Sequence, residues 1–197
     1  MIAPVAGLSL KELEEGLGYV AAASSDVGTL ELIVRRPADL ERELLGEGEL
    51  SLELGLVGDL WAERPSSKTG APNPEAQVTV MSARAAALMA GSEDHEAWAQ
   101  AGDQLYVDLD LSEANMPAGS RLEIGKAVLE VTADPHLGCG KFIKRFGVEA
   151  LKLVNSDEGR ALRLRGVNAR VVVAGRVARG DAVRKVRGAE PGSTTAH

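Results

Sequence analysis

Polar and apolar positions along the chain change period several times, and each change predicts an element. Residues 28–36 are rich in β-forming side chains and stop before Pro37, the pattern of a strand. Residues 49–56 alternate over most of their length and predict a second strand. Short strands follow at 77–81 and 104–111. Residues 121–124 and 127–132 flank Gly125-Lys126, the signature of a hairpin. Residues 165–177 and 182–186 supply the last strands. The helical period is rarer. Ser9 and Glu12 form a capping-box pattern that predicts a short helix to about Gly16. Ser82 can cap an alanine-rich helix ending near Ala90, and a helical stretch over 93–101 stops at Gly102. Residues 134–147 predict a loop leading into a helix. Many short strands at close spacing, with a few helices inserted, predict a mainly β barrel or sandwich rather than a βαβ array.

Residues 64–70 and 72–74 are turn-rich and expected to be mobile. They are not a linker, because strand patterning continues on both sides. One domain is expected over 1–187, with 188–197 a small, polar, disordered tail. No repeat of 20–50 residues, no GxGxxG after a strand and no GxxxxGK[ST] is present.

Composition narrows the classes. Aromatic residues are 3% of the chain, too few for a base-stacking platform, so no nucleic-acid partner is expected. The start lacks a cationic signal region, and no apolar run approaches a membrane helix. With a single cysteine there is no internal disulfide, and a free thiol suits a reducing cytoplasm, the expected location. The net charge of -7 hides an asymmetry: residues 1–139 hold 9 Lys and Arg against 24 Asp and Glu, whereas 140–187 hold 13 against 4. A local basic field can hold an anionic small molecule on an acidic protein, although solvated strand faces would give the same count.

The basic excess begins just after Cys139, and there the chemistry concentrates. Gly138 and Gly140 flank the thiol and leave room beside sulfur. His136, Lys141, Lys144 and Arg145 add actual or potential positive charge, which favours thiolate. The alternative is a small buried filler, a common fate of free cysteine. Other constellations are poorer. His136-x-x-Cys139 is half a zinc site. A hydrolase triad could be drawn from Cys139, His136 and either Asp134 or Asp103, but proximity in sequence is not triad geometry. His95 is expected on a helix surface, and Trp61 and Trp98 in packing.

Pro135-His136-x-x-Cys139-x-Lys141-Phe142-x-x-Arg145-Phe146-Gly147 resembles the cysteine motif of MOSC domains, the C-terminal domain of molybdenum cofactor sulfurases. Arg165-Gly166-Val167-Asn168-Ala169-Arg170 resembles the strand that follows it in that family, and Gly180-Asp181 its closing turn. The blocks Gly55 to Asp59 and Gly102 to Leu105 are similar to its loops, so the resemblance runs in order over about 28–187. It implies a closed MOSC-type β-barrel with short helices and a pocket for the pterin of the molybdenum cofactor. It also implies that Cys139 either carries sulfane sulfur as a persulfide or ligates molybdenum. Arg145, Arg165 or Arg170 could grip the molybdopterin phosphate by forked hydrogen bonds, with His136 and Lys141 beside it. The activity implied is sulfur transfer, fed by a cysteine desulfurase, or reduction of N-hydroxylated compounds with a redox partner. The chain departs from the sulfurases in being too short for a pyridoxal-phosphate domain, so that cofactor is not expected. One cysteine cannot hold an iron–sulfur cluster. Leu60-Trp61 stands after Gly58-Asp59 where many relatives carry a basic residue or histidine. The competing reading is an anion- or nucleotide-binding barrel without metal chemistry.

Overall fold

A computed structural model describes residues 7–65, 70–138 and 140–186. Residues 1–6, 66–69, Cys139 and 187–197, which include part of the stretch expected to be turn-rich and all of the expected tail, lie outside the described residues.

The chain opens with α1 (Leu10–Glu15), where the expected capping box forms: Ser9 Oγ accepts from the Glu12 amide, and Glu12 Oε2 accepts from the Ser9 amide at 2.8 Å. A second short helix, α2 (Leu17–Ala21), follows. Then come β1 (Val27–Arg35), β2 (Glu43–Leu45), β3 (Glu47–Ser51) and β4 (Gly55–Leu56). The single strand expected at 49–56 is thus two. Ser51 Oγ accepts from the amides of Glu53 and Leu54, which turns the chain, and Gly55 takes a φ of +66° that reverses it. Next are β5 (Val78–Ser82), α3 (Ala83–Ala90) capped by Ser82, α4 (His95–Ala99) and β6 (Leu105–Val107). The hairpin β7 (Arg121–Ile124) and β8 (Ala127–Val131) turns at Gly125. The helix α5 (Gly140–Asn155) is broken at Gly147, whose φ of +88° is not helical, and α6 (Asp157–Ala161) is capped by Ser156. The strands β9 (Val167–Val173), β10 (Gly175–Ala178) and β11 (Ala182–Val186) complete the order. The stretch expected as one strand over 165–177 splits between β9 and β10, which belong to different sheets.

Seven strands close into a barrel in the order β11-β7-β8-β9-β5-β6-β1, with β1 pairing back onto β11. Among the described residues only β5 and β6 run parallel; α3 and α4 make the crossover that parallel neighbours require. β2 extends the sheet beyond β1, and β10, β3 and β4 form a separate three-stranded sheet. The barrel interior is filled by side chains such as Leu30, Ile33, Val80, Leu105, Leu122 and Leu129, all fully buried. A second apolar cluster joins the helices to the outside of the barrel through Leu13, Leu32, Met81, Phe142, Phe146 and Leu164. A barrel packed this way leaves no lumen for a ligand, so any site must lie at its rim.

Candidate functional site

A cavity of about 370 Å³ opens beside the segments that lead out of β1 and into β6 and β9. This is within the size range of small-molecule pockets, about 300–1,000 Å³. Among the described residues six cations line it: Arg36, Arg42, Arg64, Lys141, Arg145 and Arg165. Among the described residues its one lining acid is Asp39, which bridges Arg64 and Lys141 at the exposed mouth.

The floor is built on two buried aspartates. Asp59 follows Gly58, which takes a φ of +81°. Its two oxygens accept from Nε and Nη2 of Arg36 at 2.8 and 2.7 Å, a forked ion pair, while Arg36 Nη1 donates to the carbonyl of Gly102 at 3.0 Å. Asp59 also caps the short 3-10 turn Leu60–Glu63 through the Trp61 amide. Trp61 lines the cavity, with Nε1 donating to the Asn73 carbonyl. Trp98 is a packing residue, its Nε1 donating to the Ser92 carbonyl.

Asp103 is fully buried and holds Arg165 on one oxygen and His136 on the other, the latter at 2.8 Å. Burial alone would raise its pKa. The charge of Arg165 and then that of His136, with their hydrogen bonds, outweigh this and hold the carboxyl far below the carboxylate range. Asp103 is therefore an ionised acceptor. Burial, and then the Arg165 charge, push the His136 pKa down despite the pull of Asp103, so the imidazole is neutral at pH 7. A neutral ring that donates from Nε2 to an ionised carboxylate keeps Nδ1 unprotonated. Arg165 Nη2 also donates to the carbonyl of Ala101 at 3.0 Å, and its guanidinium lies 5.3 Å from the centre of the Phe142 ring.

Gly102 is where the cations converge. With a φ of +87°, a Cβ there would lie 3.2 Å from both Arg145 Nη1 and Arg42 Nη2. Arg145 donates to the Gln100 carbonyl at 2.6 Å, and Arg42 to that of Glu41. Neither has a carboxylate partner within 4.0 Å among the described residues. Arg42 is correspondingly less basic than a free arginine, through burial and then repulsion by Arg145 and Arg36. Among the described residues three buried side-chain polar atoms have no partner, Arg42 Nε, Arg165 Nε and Asn168 Oδ1, and all three residues line this cavity.

The structure thus brings together four of the residues singled out in the sequence: His136, Lys141, Arg145 and Arg165. It does not bring Arg170 to them. Arg170 projects from β9 toward Glu130 Oε1 at 2.6 Å and Glu75 at 3.3 Å, half exposed and outside the cavity lining. Its charge is neutralised where it stands. Cys139 lies outside the described residues; its neighbour Gly138 is tied to Asn155 Oδ1 through its amide, and Gly140 begins α5. Arg36, Arg42, Asp59 and Asn168 were not singled out as site residues. The signal for Arg36 was its position at the end of a strand, just before Pro37. Asp103 appeared only as one possible acid of a triad; its two partners, the Arg165 guanidinium and the neutral His136 ring, give it a structural task instead.

A family model described as the MOSC domain matches residues 67–184. Among solved structures, the YuaD protein from Bacillus subtilis superposes with a TM-score of 0.58 at 18% identity, covering 82% of this chain and 97% of that one. YiiM from Escherichia coli gives a TM-score of 0.53 at 21% identity over 81% of this chain and 70% of that one. A hypothetical protein gives 0.59 at 21% identity over 84% and 71%. At these identities the likeness is one of fold. No curated protein matches the chain in sequence.

Proposed function

The chain belongs to the MOSC domain family, and from that premise we propose that its basic cavity binds the molybdenum cofactor, with Cys139 as the thiol that carries sulfur or ligates the metal. The observation that supports this most is the pair of unpartnered donors, Arg42 Nε and Arg165 Nε, buried in the cavity wall. A buried donor without an acceptor costs about 1–3 kcal/mol, so a cavity lined by two of them calls for an acceptor-rich anion. Molybdopterin offers a phosphate, and forked guanidinium contacts suit it. Arg42 and Arg145, with no carboxylate of their own among the described residues, are the residues to hold that phosphate. Arg36 and Arg165 are held rigid by Asp59 and Asp103, so they keep their positions without ligand. Trp61 offers an apolar wall.

When bound, the molybdenum centre would supply electron-pair chemistry, as in reduction of N-hydroxylated compounds. The chain's own groups bind, orient and hold protons. Neutral His136 presents an unprotonated Nδ1, a hydrogen-bond acceptor whose tautomer Asp103 fixes. Lys141, Lys144 and Arg145, which follow Cys139 in the sequence, would favour its thiolate, the form needed for either role. As a carrier, that thiolate would attack the outer sulfur of a desulfurase persulfide and release the desulfurase cysteine as thiolate.

Protein purified from a molybdenum-replete, cofactor-competent host is expected to carry molybdenum together with pterin fluorescence. Cys139→Ser should lower the metal, or abolish uptake of one sulfur atom from a desulfurase as read by intact mass, while the fold persists. Anion binding with neither molybdenum nor pterin, and no sulfur uptake, would reduce the protein to an anion-binding barrel without metal chemistry.

A further inference from the structure

We propose that a second cavity, of about 380 Å³, binds an uncharged amphipathic small molecule bearing an N–H or O–H donor. His136, Arg165 and Asn168 line both cavities and so stand between them. The two chambers differ in charge. Among the described residues the first carries six cations against Asp39; the second carries Arg160, Arg163 and the shared Arg165 against Glu113 and Asp134, and Arg165 is already held by Asp103. A chamber balanced in this way does not select an anion. Its remaining surface is largely apolar, with Pro135, Leu137, Val154 and Val167 offering a body-sized face.

The polar requirement comes from Asn168, which is 5% exposed. Its Nδ2 donates to the carbonyl of Asp134 at 3.1 Å, and this fixes which way the amide faces. Its Oδ1 is then left buried without a partner. The other two unpartnered atoms, Arg42 Nε and Arg165 Nε in the lining of the first cavity, are donors on cations and suit an anion. Oδ1 is an acceptor, which an anion would only repel, so it calls for a ligand that donates.

The chamber is also built tightly. A Cβ on Gly166, which has a φ of +91°, would come within 2.3 Å of the Val80 carbonyl oxygen, and one on Gly159 within 1.9 Å of that of Leu153. Arg163 holds a left-handed φ of 48°, strained for a side-chain-bearing residue, while Nη1 donates to the Met116 carbonyl. These constraints hold the turn between α6 and β9 in the shape that forms the chamber. That this ligand would be the substrate of a cofactor next door rests on the function proposed above; its binding does not.

Ligand-observed NMR on the full chain, with benzamide as the probe, tests the chamber. Benzamide has a planar apolar body, no charge and an amide donor. It should bind, and N,N-dimethylbenzamide, which lacks the donor, should bind at least tenfold more weakly. Ala118 is exposed and lines only the second chamber, so Ala118→Trp should weaken benzamide at least tenfold and leave molybdenum and pterin content as in wild type. No benzamide binding, equal binding of the dimethyl compound, tighter binding of benzoate, or indifference to Ala118→Trp would each overturn the proposal. Benzamide binding that behaves as expected in a protein without molybdenum would leave the chamber standing and remove the cofactor reading.

Discussion

Asp103 hydrogen-bonds Arg165 and His136 directly, so what happens to one of the three side chains is felt by the others. Asp103→Ala would leave the Arg165 guanidinium buried and uncompensated. Breaking a buried pair from one side costs about 3–5 kcal/mol, and denaturant unfolding should show a loss of that size. The pH dependence follows from the same group. The His136 pKa is lowered from an ordinary 6.5, so the unfolded chain takes up a proton that the native state refuses. The stabilisation from neutral His136 is full above about pH 6.5 and is lost as pH falls from there toward the lowered native value. Asp103 is also lowered, from an ordinary 3.8; its contribution is full above that value and is lost only as pH falls further. Melting temperature should therefore drop between pH 7 and 5, and His136→Gln should flatten that drop. An unchanged slope in the variant would assign it to other groups. His136 could be picked out in the sequence because it stands three residues before a lone cysteine. Arg36 and Arg42 could not, because each is one charge among many until Asp59 and Gly102 give it a place.

At the scale of elements, local signals that satisfy the backbone were legible and tertiary ones were not. The Ser9 and Ser82 caps and the Gly125 turn fix their own neighbourhoods, and α1, α3 and the β7–β8 hairpin stand where the pattern put them. The chain over 49–56 and 165–177 is apolar enough to read as continuous strand. Its breaks come from Ser51 and Gly55, and from the transfer of Gly175–Ala178 to a second sheet. That the barrel is closed followed from family resemblance, whereas its seven strands did not; the alternation alone left barrel and sandwich open. The turn into β6 carries a test. Gly102→Ala places a Cβ against two guanidiniums and asks alanine to hold a φ of +87°. A side chain in left-handed backbone costs about 1–2 kcal/mol, so stability should fall by that order in thermal melts. Affinity for inorganic phosphate should fall as well, because Arg42 and Arg145 must move apart. A loss of stability with phosphate affinity intact would mean that the arginines do not act together.

Across the whole molecule, the charge count by segment gave only half of the basic cavity. Lys141, Arg145 and Arg165 come from the basic stretch, but Arg36, Arg42 and Arg64 come from the acidic one. Folding gathers them, and it disperses others: Arg170 and Arg176 meet Glu130 and Glu47 on strand faces. Phosphate affinity should weaken with rising salt, since the mouth is open to screening. Arg42→Ala should lower it further and reduce the salt slope, whereas Arg170→Ala should match wild type within about twofold. Equal losses in the two variants would extend the site along β9. The barrel has one more consequence. β1 ends at Arg35 and its partner β11 starts at Ala182, so most of the chain must be made before the ring can close. At translation rates of about 5–20 residues per second, the Val27–Thr29 part of β1 would wait on the order of ten to thirty seconds on the ribosome for its partner, whereas β2 covers Ile33–Arg35 almost at once. The acidic residues Asp26 and Glu31, in and beside that strand, would discourage it from joining a neighbouring nascent chain during the wait.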